Sequence, residues 1–314
     1  MMDLVPTVDI GDPTATSLEA LNRACEDHGF FLISGHGLDD LIARTWMETE
    51  RFFAAGSGVQ EPLRRSKDQQ LGYHDRELTK RLRDHKEVFD FIDPAGPGAG
   101  LNRWPGALGG FETTMAEYFE AFAALTATTL ELVHATLGLS PQVVAEHGYD
   151  RTSSSVRLNH YPVGDPVPAG DREGLRPLGD VALGHHTDPG VLTLLLQDDT
   201  GGLQAESRVH GWIDVPPRPG TVVVNLADAM QVWTNDRYRA AVHRVVPMTD
   251  RDRYSIPFFA NPTGDQVIEP IGALVDDAPR YRPFAWGEFM QGRIDDNYED
   301  KGAEDIQIAH YATI

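Results

Sequence analysis

Apolar residues recur at helical spacing in the first half of the chain and at strand spacing in the second. The stretch SLEALNRACEDHG (17–29) predicts a helix with Ser17 as N-cap and Gly29 just past its end. The apolar run FFLIS then predicts a short strand. FETTMAEYFEAFAALTATTLELVHATLGL (111–139) repeats its apolar positions over several turns and predicts a long helix ending at Gly138. Between these regions, DPAGPGAGLNRWPGALGG (93–110) reads as a Gly/Pro-rich loop. From about residue 151 the pattern shortens. Runs such as SSVRLNHYPV, GVLTLLLQD, TVVVNLA, HRVVPM and RYSIPFFANP are separated by turn residues, which predicts an antiparallel sandwich or barrel. AWGEFMQGRIDDNYED returns to helix near the end, and its tail GRIDDNYED (292–300) is a candidate lid. The expected organisation is a helical and mixed region over 1–105 and, over 106–314, the long helix, a β core and a helical tail, forming one structural unit.

Composition narrows the function. The longest apolar runs are strand-length, far short of a membrane span, and the acidic start MMDLVPTVDIGDP lacks the basic region of a secretion signal. A cytoplasmic protein, most simply a monomer, is the expectation. The formal charge of −21 disfavours nucleic acid and anionic membranes as partners. It also means that an anionic substrate needs its own local arginine or lysine. Cys25 is the single cysteine, which excludes an internal disulfide and any cysteine-built metal site.

The candidate chemistry lies in GHHTDPGVLTLLLQD (184–198). At a strand end, alternation puts His186 and Asp188 on one face and His185 on the other. An imidazole and a carboxylate two residues apart can reach one cation. His243, in the β-like run AAVHRVV, is the candidate third ligand. Two imidazoles and one carboxylate leave open positions and suit non-haem Fe(II), with zinc as the competing metal. Ten residues later, Arg253 and Ser255 of RYS share a strand face, where a guanidinium and a hydroxyl can grip a carboxylate.

Five ordered blocks carry a resemblance: VPTVDI with ACEDHGFFLISGHGL, KEVFDF with NRWP, RLNHYP, HTDPGVLTLLLQDDTGGLQ with PGTVVVNLADAMQVWTNDRYRAAVHRVV, and RYSIPFFANP. Together they resemble the isopenicillin N synthase-like family of Fe(II)/2-oxoglutarate-dependent dioxygenases over nearly the whole chain. The resemblance implies a mainly β fold with helices, a distorted double-stranded β-helix (jelly-roll) core flanked by N-terminal and C-terminal helices. It implies His186, Asp188 and His243 as catalytic iron ligands and Arg253 and Ser255 as the clamp on the distal carboxylate of 2-oxoglutarate. Asn159 and Tyr161 of NHY occupy positions that help bind the cosubstrate in similar enzymes. With Fe(II), 2-oxoglutarate and O2, the implied reaction decarboxylates the cosubstrate to succinate and CO2 and hydroxylates, desaturates or oxidatively cyclises a small molecule. Specialised-metabolite, antibiotic-type biosynthesis is the implied setting.

Two substrate contacts are expected from strand alternation. Arg157 stands two before Asn159 and faces the same way, where a buried guanidinium needs an anion. Phe259 shares a face with Ser255. Two other readings stay open at this point. One is a 2-oxoglutarate-independent oxidase similar to isopenicillin N synthase, in which the R-x-S pair holds a substrate carboxylate. The other is a catalytically silent relative that binds a small molecule.

Overall fold

The computed structural model describes residues 4–298, apart from 67 and 80–81, and residues 306–313. Part of the candidate lid, 299–300, therefore lies outside the described residues, as do 301–305. Twelve strands build two facing sheets: β1 (Thr7–Asp9), β2 (Phe30–Ser34), β3 (Gly72–His74), β4 (Glu87–Ile92), β5 (Ser155–Tyr161), β6 (Leu183–His186), β7 (Leu192–Gln197), β8 (Leu203–Ser207), β9 (Gly211–Asp214), β10 (Val222–Leu226), β11 (His243–Val245) and β12 (Arg253–Ala260). The larger sheet has the order β1-β2-β10-β7-β12-β5-β4-β3, and the smaller one β9-β8-β11-β6. Within them all neighbours are antiparallel except β1 and β2. This is the distorted jelly roll, two facing sheets flanked by helices rather than a closed barrel.

The central strands are apolar on both faces because both faces are covered. Phe30, Leu32, Leu195 and Val223 join Leu203, Ala205, Ile213 and Val245 of the smaller sheet in an inner core. The alternate residues Phe31, Ile33, Leu194, Leu196, Val222 and Val224 pack instead with helices α1 (Ala15–Asp27), α2 (Asp39–Ala54) and α3 (Phe111–Leu137). Period-two alternation therefore survives, but as a choice between two buried layers. Tyr118 of α3 ties its helix to the sheet by donating to the Ile256 carbonyl at 3.1 Å. The end of α3 is where the pattern places it: Gly138 adopts a left-handed φ of 68° as the C-cap. The start of α1 is not. Thr14 is the N-cap, and Ser17, expected there, sits three residues inside and returns the hydrogen bond in a capping box. Cys25 is fully buried in the outer core, and burial pushes its thiol pKa up, which leaves it unreactive.

One buried cluster locks the edge of the larger sheet. His160 of β5 hydrogen-bonds Glu87 of β4 at 2.6 Å and Asp252, just before β12, at 2.9 Å, and it stacks on Tyr254 with ring centroids 4.6 Å apart. Burial disfavours the charged ring, but the two carboxylates outweigh it and raise the His160 pKa. A histidine pKa raised on folding contributes stability that is complete below the unfolded value of about 6.5 and is lost as pH rises through the folded value. The melting-temperature advantage of the native protein over His160→Gln is accordingly expected to be largest near pH 6, below the unfolded value, and to shrink as the pH rises into the alkaline range. An advantage that grew with pH would refute the charged clamp.

Candidate metal and cosubstrate site

The smaller sheet supplies two imidazoles in one register pair, His186 at the end of β6 opposite His243 at the start of β11. Their rings lie 4.3 Å apart, centroid to centroid. Asp188 follows in the turn that carries the chain across to β7. Its Oδ1 lies 3.7 Å from His186 Nε2 and 3.9 Å from His243 Nε2. Among the described residues, these three offer ligand atoms all within 4.8 Å of one another. Alternation sorts the two adjacent histidines as expected: His185 is exposed on the opposite face, 6.4 Å from the Trp212 ring.

The surroundings aim each ligand. His186 Nδ1 lies 2.8 Å from the Gly184 carbonyl, and His243 Nδ1 lies 2.8 Å from the Ala241 carbonyl. A carbonyl only accepts, so both protons sit on Nδ1 and both Nε2 lone pairs face the centre. Burial, and then the neighbouring His243, lowers the His186 pKa well below its ordinary value, so the ring stays neutral. Asp188 Oδ2 accepts from Thr193 Oγ1 at 2.6 Å and from Asn225 Nδ2 at 2.8 Å, which leaves Oδ1 for the histidines. Burial opposes the Asp188 charge, but the two imidazoles and these two donors outweigh it and lower the pKa. The turn is crowded as well. A Cβ on Gly190 would stand 2.4 Å from the Ala260 carbonyl oxygen, so only glycine fits there.

The larger sheet contributes the other wall. Arg253 pairs in register with Tyr161, and Ser255 with Asn159. Arg253 is 1% exposed. Its Nε donates to the Gly201 carbonyl at 2.8 Å, and its Cζ lies 4.9 Å from the Tyr161 ring centroid. Neither Nη1 nor Nη2 has a hydrogen-bond partner, and Asn159 Oδ1 has none either. Asn159 Nδ2 donates to Ser255 Oγ at 3.3 Å. A buried guanidinium with both terminal nitrogens unmet lacks an anion of matching fork geometry. A carboxylate such as that of 2-oxoglutarate fits it, and neutral imidazoles with one carboxylate fit a ferrous ion.

These walls share one pocket between the two sheets. Every residue expected at the site lines it: His186, Asp188, His243, Arg253, Ser255, Asn159, Tyr161, Arg157 and Phe259. For Arg157 the structure adds a partner set. Its Nε and Nη2 donate to Asp90 at 2.6 and 2.9 Å, and its Nη1 to Glu77 at 2.8 Å. The anion that a buried arginine requires thus comes from the chain itself. Sequence reasoning left two working residues aside and a third, Lys86, open between a substrate contact and a surface role. Asn225 reads as a turn residue but holds Asp188, Thr193 is hidden inside an apolar run, and Lys86 lines the cavity. The C-terminal helix α5 (Trp286–Tyr298), which follows the short helix α4 (Asp228–Trp233), reaches the site through Arg293. The Arg293 Nη2 donates to the Thr187 carbonyl, between two of the clustered residues, at 2.6 Å.

Known proteins resemble this chain over most of its length. Residues 152–262 match the model of the 2OG-Fe(II) oxygenase superfamily, and residues 5–107 match the N-terminal model of non-haem dioxygenases in morphine synthesis. Gibberellin 2-beta-dioxygenase 1 of Arabidopsis thaliana is 30% identical, over 97% of this chain and 92% of the relative. A 2-oxoglutarate-dependent dioxygenase of Didymella fabae is 34% identical, over 84% of this chain and 87% of the relative. The crystal structure of full-length Neurospora crassa T7H with alpha-KG and thymine superposes with a TM-score of 0.78 at 26% identity, covering 94% of this chain and 97% of the other.

Proposed function

The chain belongs to the 2OG-Fe(II) oxygenase superfamily, and from that premise we propose how its pocket divides the work. The enzyme is an Fe(II)- and 2-oxoglutarate-dependent oxygenase. In the proposed assignment His186, Asp188 and His243 hold the iron, Arg253 and Ser255 hold the distal carboxylate of 2-oxoglutarate, and Asn159 and Tyr161 complete the cosubstrate pocket. Iron with bound cosubstrate and O2 supplies the oxidising power for C–H chemistry, at the expense of 2-oxoglutarate becoming succinate and CO2. The side chains supply placement. Thr193 and Asn225 keep Asp188 ionised with Oδ1 presented. The Gly184 and Ala241 carbonyls keep both histidines in the tautomer that ligates. The observation that carries the cosubstrate assignment is the 1%-exposed Arg253 with its two terminal nitrogens unpartnered, on the same cavity as the ligand cluster.

The substrate in this reading is a small molecule, bordered by Arg157 and Phe259, that is hydroxylated, desaturated or oxidatively cyclised in specialised-metabolite biosynthesis. The names of the relatives, plant gibberellin dioxygenases and fungal 2-oxoglutarate-dependent dioxygenases, support that class. Anaerobic loading with Fe(II) and 2-oxoglutarate, then air and a small-molecule panel, tests it. The expected result is succinate released in step with oxidised product. Oxygen consumption with product but no succinate would instead assign the Arg253/Ser255 pair to a substrate carboxylate.

A further inference from the structure

The register of the larger sheet sets out a second cationic position in the same cavity. Across β4, β5 and β12 the paired residues form rows. Ser255, Asn159 and Val88 make one row. In the next, Arg253 pairs with Tyr161, and one further step of the β4–β5 register past Glu87 and His160 sets Lys86 on the other side of Tyr161. Arg253 and Lys86 thus flank Tyr161 at two strand spacings, roughly 10 Å apart in the backbone. The two cations thus come from different strands, with Tyr161 between them.

Lys86 is 5% exposed and lines the cavity. Its Nζ lies 3.1 Å from Glu77 Oε2 and 3.3 Å from Asp84 Oδ2. Those contacts occupy two of the three ammonium protons. Glu77 and Asp84 do not line the cavity, so both counter-ions stand behind the ammonium. Glu77 is itself held by Arg65 at 3.2 Å and by Arg157 at 2.8 Å. Arg157 has closed its fork on Asp90, whereas Lys86 keeps a proton and no second fixed geometry. Among the charged residues of the lining, Lys86, Arg157 and Arg253 are cations and Asp188 is the one carboxylate.

We propose that Lys86 is a second anion-binding position, distinct from the Arg253/Ser255 clamp, and that it selects substrates bearing a carboxylate. The proposal rests on the oxygenase reading above. Glu77 and Asp84 act as positioning residues that hold the ammonium at the cavity wall, and Arg157 fixes Glu77. A charge-assisted contact made by the acid and denied to its ester gives the selectivity.

The test uses the full chain loaded with Fe(II) and 2-oxoglutarate, and a panel of small carboxylic acids, each paired with its methyl ester. The measurement is stimulated succinate release, with anaerobic 2-oxoglutarate affinity determined in parallel. Acids are expected to stimulate release more than their esters, by roughly 10- to 100-fold in the half-saturating concentration, as for a hydrogen bond to a charged group. Lys86→Met is expected to erase that preference while leaving 2-oxoglutarate affinity unchanged. Because that change leaves Asp84 buried without its cation, the double variant Lys86→Met/Asp84→Asn removes both charges and is expected to behave alike. Esters as effective as acids, no stimulation by any acid, a preference that survives in both variants, or a loss of 2-oxoglutarate affinity in both would each overturn the proposal. Failure of the oxygenase reading looks different: the native protein would then neither bind 2-oxoglutarate nor form succinate.

Discussion

Asp188→Ala is expected to reduce succinate formation and substrate oxidation to the limit of detection at any practical iron concentration. The carboxylate is 5% exposed, faces both imidazoles through Oδ1 and is the one negative ligand in the cluster. Without it two neutral imidazoles remain, a set with no charge to offset a divalent cation. The neighbours of Asp188 provide a graded comparison. Asn225→Ala and Thr193→Val leave the ligand but remove one donor each from Oδ2. Such losses beyond the ligands typically cost roughly 10- to 100-fold in metal affinity or activity. Anaerobic Fe(II) titration followed by single-turnover succinate assay separates the cases: the supporting variants should recover at high iron, and Asp188→Ala should not. Recovery of Asp188→Ala by iron alone would remove Asp188 from the ligand set. Thermal unfolding of the metal-free protein is an internal control. Asp188→Ala removes a buried carboxylate, so its melting temperature should not fall in proportion to its lost activity.

Arg253→Met carries the second large effect, on the cosubstrate. Truncating one partner of a buried, hydrogen-bonded charge pair costs about 2–5 kcal/mol, which corresponds to a rise in the 2-oxoglutarate KM on the order of 30- to several-thousand-fold. Arg253→Lys should rescue only part of this, because an ammonium cannot present the two parallel N–H groups of a guanidinium. Ser255→Ala removes one hydrogen bond and should fall between native and Arg253→Met. The stability readout is what distinguishes a binding arginine from a structural one. In the protein without cosubstrate, Nη1 and Nη2 are buried and unpartnered, so their removal should leave the melting temperature unchanged or higher. A large fall in stability with an unchanged KM would assign Arg253 to the fold instead.

Much of the site was legible in the sequence because it rests on local geometry. Two-residue alternation picks His186 over His185, places Asp188 beside it, and pairs Arg253 with Ser255 and Arg157 with Asn159, whereas Tyr161 came from the family resemblance. Each inference needs only the conviction that a short run is a strand. The apolar runs FFLIS, TLLLQ and VVVNL announce buried strands for the same reason. What stayed hidden depends on residues far apart in sequence. Asn225 lies 37 positions from the Asp188 it supports. The partners of Arg157, Asp90 and Glu77, lie 67 and 80 positions away. Alternation correctly turns Arg157 inward, yet it cannot show that two carboxylates from the N-terminal region are already waiting there. Lys86 is obscured similarly, since a lysine ahead of EVFDF reads equally well as a surface residue.

The sequence by itself determined the types of element, the faces that residues share within a strand, and the chemistry available once those faces meet. These follow from backbone periodicity and side-chain chemistry, which act over a few residues. Only the tertiary structure decided which of two buried layers each central strand residue enters, which oxygen of Asp188 stays free, and which cations of the cavity are neutralised from behind. Those outcomes depend on strand register between segments joined by long stretches of chain. A one-residue slip in any pairing would exchange the faces and dismantle the site without altering a single local pattern.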